Sequence, residues 1–162
     1  PLVATVGLQF VLVELDSLEA LARSRGEPSL FASLISVMQP EQVPPQGGRI
    51  LAYVRTAGTA AASECDIRCR MHRSNGTEDP GTGAANCALI GLLAALSSEN
   101  APSVVSAKIM QGVEMGRRSV LLASAERLAT ASGNAMNGAA AVGRVRIGGQ
   151  CAPVSRGELV CF

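Results

Sequence analysis

The stretch Ala84 to Leu96, AANCALIGLLAAL, constrains the fold more than any other, because Asn86 is its only plainly polar residue. A helix with no polar face must be buried on every side. At about 1.5 Å per residue, the rod from Ala84 to Ser98 is roughly 22 Å long, the width of a small domain. Its small residues (Ala84, Ala85, Ala88, Gly91, Ala94 and Ala95) predict close approach of neighbouring backbones. The remaining residues must wrap this post.

The approach to the rod carries the candidate chemistry. Glu78-Asp79-Pro80-Gly81-Thr82-Gly83 sets an acidic pair and a Gly-rich turn directly before it. Orphan N–H groups at a helix start, with aligned peptide dipoles behind them, attract an anion. Gly81 and Gly83 take away side chains that would hold a ligand off the backbone, and Asp79 stands close enough to share its pocket. The plainer alternative makes Asp79 an N-cap with Pro80 at the first helical position. Two glycines in the first turn speak against that start, so Thr82 is the better cap. A capping carboxylate is stabilised as the anion, whereas a general acid needs burial to raise its pKa.

Length and charge narrow the class. A chain of 162 residues, 48% of them hydrophobic, can bury a real core, and it reads as one domain over residues 1–162. With 14 basic against 13 acidic residues there is no electrostatic case for nucleic acid or an anionic membrane. Three Phe, one Tyr and no Trp leave no platform on which bases would stack. The strongest apolar run, Cys87 to Leu96, is too short to cross a bilayer. The first residue is Pro1 rather than Met, with no signal-like leader, which reads as a processed or partial chain. Cys65, Cys69, Cys87, Cys151 and Cys161 are scattered, without a CxxC pair, and His72 is the sole histidine. That set suits neither zinc nor a disulfide framework. Reduced thiols in a cytoplasmic protein are the expectation, with Cys65, Cys69 and Cys87 in the core.

Along the chain, Val3 to Leu15 is apolar on both faces and predicts a single interior strand. Asp16 or Ser17 then caps a short helix through Leu18, Leu21 and Ala22 ending near Gly26, and a second helical stretch is expected over Ser29 to Met38. Pro40 to Gly48, PEQVPPQGG, reads as a loop. Ile50 to Thr56 is a strand. Glu64 to His72 alternates cleanly, with Cys65, Ile67, Cys69 and Met71 facing in and Asp66, Arg68, Arg70 and His72 facing out. His72 and the cluster Arg68, Arg70 and Arg73 are thus expected on a solvated face. Val104 to Met110 and Ser119 to Leu128 are further strands, and Ala129 to Ala141 reads as a low-complexity connection. Gly148-Gly149 predicts a hairpin turn between Gly143–Ile147 and Cys151–Val154, with a last strand over Leu159 to Phe162. The pattern predicts an α+β fold, a β-barrel-like curled sheet wrapped round one central buried helix.

Common catalytic motifs are missing from the sequence. GTGAAN lacks the third glycine of a dinucleotide fingerprint, and no GKS, GKT or G-x-S-x-G occurs. A different signature is present. Glu78-Asp79-Pro80-Gly81-Thr82-Gly83-Ala84-Ala85 resembles the E-D-P-x-T-G-S-A motif of the PhzF-like (phenazine biosynthesis) family, in the diaminopimelate-epimerase-like superfamily. Gln111-Gly112-Val113-Glu114-Met115-Gly116-Arg117 is similar to that family's Q-G-x-x-M-G-R block, and Val145 to Leu159 to its closing V-x-V-G-G-x-A-x-x-V-x-x-G-x-L. The opening TVGLQFVLVELDSLEAL resembles the start of the family's second half.

The resemblance implies a fold of two similar halves, each a sheet round a central helix, with the active site between them. Only the C-terminal half is matched. The family's proton-transferring glutamate and its Gly-His block belong to the other half, and His72 lacks the flanking pattern of that block. Carried over by motif, Asp79 is the expected catalytic acid, while Thr82 and the backbone around Gly83 and Ala84 are the expected anchor for a substrate carboxylate. Ala84 stands where the family commonly has serine, so one hydroxyl contact is lost. Pro80 stands where two-cysteine epimerases carry a thiol, which disfavours their chemistry. The implied activity is an isomerase of specialised, antibiotic-type metabolism that moves a proton and a double bond in a small carboxylate, without cofactor or metal. Its implied partners are an N-terminal half, as a missing segment or second chain, and a homo- or hetero-oligomer. The alternative is a non-catalytic binding subunit that keeps the fold and lacks the base.

Overall fold

The structure, a computed structural model, describes residues 1–37, 48–98, 100–128, 140–153 and 155–158. Eight strands form one sheet in the order β1-β2-β3-β4-β6-β7-β8, with β5 pairing the side of β4. The strands are β1 (Leu2–Thr5), β2 (Gln9–Glu14), β3 (Arg49–Arg55), β4 (Ile67–Arg73), β5 (Glu78–Asp79), β6 (Val104–Gln111), β7 (Ser119–Arg127) and β8 (Val142–Gly148); the helices are α1 (Leu18–Arg23), α2 (Pro28–Val37) and α3 (Gly83–Ala95). The fold is α+β, a strongly curled half-barrel with few helices.

Two joins in the sheet are parallel, β2 with β3 and β4 with β6. A parallel join needs a crossover rather than a hairpin. The first crossover carries α1 over the outer face, where Leu21 packs on Ala52 and Val54. The second is α3, and it runs through the inside. Phe10, Leu12, Leu51, Tyr53, Cys69 and Met71 close on Ala85, Ala88, Leu89, Ile90 and Ala94 of that helix. Leu89 and Ile90 are fully buried, each contributing about 1.5–3 kcal/mol by leaving water. The central post is thus where the sequence places it.

Several local expectations are corrected. Val3 to Leu15 is not one strand: β1 and β2 form an antiparallel hairpin, Leu2 facing Leu12 and Thr5 facing Gln9. Gly7 turns the chain at φ +107°, a conformation open to glycine and costly for other residues. Cys151–Pro153 is not a strand, so no hairpin follows β8 among the described residues. The expected strand over Leu159 to Phe162, Cys161 and most of the two expected loops lie outside the described residues. Cys65 and Cys69 are buried, but Cys87 is only partly so.

The largest correction concerns the outer face of β4. Arg70 and His72 are 6% and 4% exposed, covered by α1 rather than by water. Arg70 makes a bidentate pair with Glu78 at 2.6 and 2.8 Å and donates to the carbonyls of Leu21, Ala22 and Ser24. It therefore caps the C-terminal end of α1, where a cation is favoured. His72 Nε2 lies 2.8 Å from Ser24 Oγ, and burial holds its pKa below the usual histidine range. Arg68 is also half-buried, paired with Glu114 at 3.0 Å. Alternation marks the face a residue takes, and α1 decides whether that face is wet.

Candidate active site

The start of α3 is held by side chains the fold brings from elsewhere. β5 pairs antiparallel with the end of β4, Asp79 opposite Met71 and Glu78 opposite His72, which delivers the turn Pro80–Thr82 to the mouth of the half-barrel. Gln111, at the end of β6, is completely buried beneath that turn. Its Oε1 accepts from Thr82 N at 3.0 Å and from Asn86 Nδ2 at 2.8 Å; its Nε2 donates to the Asp79 carbonyl at 2.6 Å and to Thr82 Oγ1 at 3.0 Å. Asn86 also donates to the Thr82 carbonyl at 2.9 Å. Buried amides satisfied this fully fix backbone positions, because leaving any of them unpaired would cost about 1–3 kcal/mol.

Gly112 completes the support. It sits at φ +76°, and a Cβ there would stand 2.4 Å from the Arg117 carbonyl and 2.7 Å from that of Pro80. No side chain fits between those two backbones. A Cβ at Gly81 would come 2.8 Å from Ser119 Oγ, so this glycine serves packing under the turn.

The Asp79 carboxylate accepts from Arg73 Nη2 at 3.0 Å, Thr82 Oγ1 at 2.9 Å and, at longer range, the Gly81 N–H at 3.4 Å. Its side chain remains 22% exposed, on the wall of a hollow of about 610 Å³. Thr82 and Ala84 line the same hollow, as do Leu8, Phe10, Arg49 and Arg73. Gly83 is not on its surface and lies toward Ile147 instead, 3.9 Å from where its Cβ would be. Thr82 takes the N-cap position, but its hydroxyl bonds to Asp79 rather than back to the helix. The Thr82 N–H is occupied by Gln111, which leaves the N–H groups of Gly83 and Ala84 without an acceptor among the described residues. Asp79 is thus both a lock on the turn and a wall of an open hollow.

Sequence reasoning missed Gln111 and Asn86 as site supports. Asn86 carried a signal, being the one polar residue on an otherwise apolar rod. Gln111 stood in a recognisable block, but nothing local tells that its amide ends under Asp79. The thiol of Cys69 lies in the same dry layer, donating to Asn86 Oδ1 at 3.5 Å, and burial pushes its pKa up, so it is no nucleophile. Among the described residues no group of three or more His, Cys, Asp or Glu is placed to hold a metal, and no helix is long and apolar enough to cross a membrane.

A second, larger hollow of about 720 Å³ opens at the other end of α3, between Leu12, Ile90, Leu93 and Val105. Two of its charged groups answer one another. Arg55 grips Glu14 through two bonds of 2.7 and 2.9 Å, and Tyr53 donates to the same carboxylate at 3.1 Å. Burial, then the Glu14 charge, pushes the Tyr53 phenol up to about 12.

A half-barrel closed on a single apolar helix, with a polar hollow where that helix begins, defines an α+β unit whose candidate chemistry sits at one end of its central post. The family is more specific. The sequence profile described as phenazine biosynthesis-like protein (PhzC-PhzF) matches residues 1–157, and the chain belongs to that family. The crystal structure of the Bacillus anthracis phenazine biosynthesis protein, PhzF family, is similar in fold, with a TM-score of 0.59 at 17% identity over 75% of this chain. The chain spans 38% of the length of that structure. None of the curated proteins compared matched the sequence.

Proposed function

We propose that this chain contributes one wall of the active site of an isomerase that moves a proton and a double bond within a small carboxylate. The reading rests above all on one observation: Asp79 borders an open hollow at the start of α3, where the N–H groups of Gly83 and Ala84 have no acceptor among the described residues. Those amides, at Gly83 and Ala84, hold the substrate carboxylate with help from the helix dipole. Asp79 receives a hydrogen bond from the substrate or shares its proton. A glutamate from an N-terminal counterpart takes the proton from one carbon and returns it to another, so no cofactor is consumed. Family membership supports the reaction class, and the 38% coverage of the matched structure supports a counterpart outside these residues.

The test is Asp79→Asn, assayed together with the counterpart. Turnover should fall roughly a hundredfold, the lower range for a lost acid–base group, with the melting transition kept. Undiminished turnover would remove Asp79 from the mechanism.

A second reading is favoured by a specific contact. Arg73 and Thr82 already bond the Asp79 carboxylate, an arrangement that suits a fixed anion in a binding subunit. Native mass spectrometry separates the two. A lone 16.6 kDa species or its homodimer supports the binding subunit, and an added chain of similar size supports the shared active site.

A further inference from the structure

We infer that the ligand of the Asp79 hollow carries a second anionic group, bound by Arg49 and Arg73. This rests on the proposed carboxylate anchor and names the class of molecule it takes, a dicarboxylate or an acid with one further anionic head.

The starting point is a charge conflict in the sheet. Arg49 and Arg73 are directly opposed in the antiparallel β3–β4 ladder. Opposed residues project to one face, with Cβ atoms about 4.5–5.5 Å apart, and like charges in that relation destabilise the pair. The face is the inner one, since Leu51 and Met71, the next opposed pair but one, lie in the core against α3. Both arginines line the same hollow.

The charges do not cancel there. Among the described residues Asp79 is the only acidic one on the wall of the hollow, and its carboxylate already accepts from Arg73. Arg49 has no hydrogen-bond or ion-pair partner among the described residues. Among the described residues, two guanidinium groups against one carboxylate leave one positive charge, and the N-terminal end of α3 adds a partial one. The contrast with the other end of the sheet is direct: Arg55, the last residue of β3, is gripped by Glu14. A fork of guanidinium donors suits a carboxylate or phosphate oxygen pair. Apolar Leu8, Phe10 and Met71, which line the same hollow, suit a hydrocarbon spacer.

The experiment compares adipate with hexanoate, flexible six-carbon acids that differ by one carboxylate, in an NMR titration of the full chain. Adipate should bind about tenfold tighter, the value of one charge-assisted contact, and shift the Gly83, Ala84 and Arg73 amides together. Arg49→Gln should erase that preference while leaving hexanoate affinity unchanged. The same variant should raise the melting midpoint of the free chain, with a gain that shrinks as salt is added, because it relieves the opposed charges. A merely structural Arg49 would lower the midpoint instead. Equal affinity for the two acids, with Gly83 and Ala84 shifting in both, overturns this inference and leaves the carboxylate anchor standing. If neither acid moves those two amides, the anchor itself fails, and the inference fails with it.

Discussion

The two ends of α3 solve the same problem by different chemistry. At the N-terminal end, amides and a carboxylate are bonded into a fixed frame: Gln111 bonds Asn86, Thr82 and Asp79, and Thr82 bonds both Asn86 and Asp79. At the C-terminal end the walls are mostly apolar, and Leu96 is 58% exposed. Just past the helix stands a cation, Arg127, whose guanidinium reaches the Ala101 carbonyl at 2.9 Å and that of Ser97 at 3.4 Å. Polar acceptors at one end and a cation at the other both complement the peptide dipole. What differs is tolerance. A hydrogen-bonded frame fixes positions to within fractions of an ångström and fails when one member is lost, whereas an apolar wall can yield.

The comparison can be broken at its strongest point first. Gly112→Val should be the most damaging single change, costing roughly 3 kcal/mol or more through a strained backbone and two carbonyl clashes. Chemical denaturation should give a much reduced midpoint or no folded chain. Gln111→Leu comes next, at about 3 kcal/mol, because it leaves the Thr82 N–H unpaired in a dry layer and takes one bond each from the Asn86 amide and the Asp79 carbonyl. Amide shifts should change around Gly81 to Ala84 and stay constant near Leu96; changes spread evenly over both ends would refute the local frame.

Acid sharpens the contrast through two separate steps. Burial lowers the pKa of His72, level with the N-terminal end, from 6.5. The unfolded chain then binds the proton more readily, so stability is lost as pH falls through 6.5. Glu14, at the other end, is lowered from 4.5 chiefly by its bond to Arg55, so its contribution is lost only as pH falls through 4.5. Urea midpoints measured against pH should show an early step removed by His72→Gln and a late step removed by Glu14→Gln. The smallest effect is expected for Arg55→Gln at the C-terminal end, below about 1 kcal/mol, since that ion pair is largely exposed and screened.

How much was legible follows from the range over which each signal acts. Uninterrupted apolarity from Ala84 to Leu96 reports burial whatever surrounds it, and the post, the inward face of β4 and the Asp79 turn could all be read locally. The split at Gly7 was missed because a single glycine within a β-rich run looks like a tolerated interruption. His72 and Arg70 were misread because alternation gives the side of a strand and says nothing of a helix laid over it.

The order of residues alone determined that one rod is buried, that a sheet must curl round it, and that an acidic, Gly-rich turn opens it. Tertiary structure alone decided that Gln111 lies beneath Asp79, that Arg49 faces Arg73, and that α1 dries the outside of β4. The physical reason is distance along the chain. Periodicity and turn chemistry act over a few residues, whereas these contacts join strands whose neighbours are chosen by the parallel crossovers.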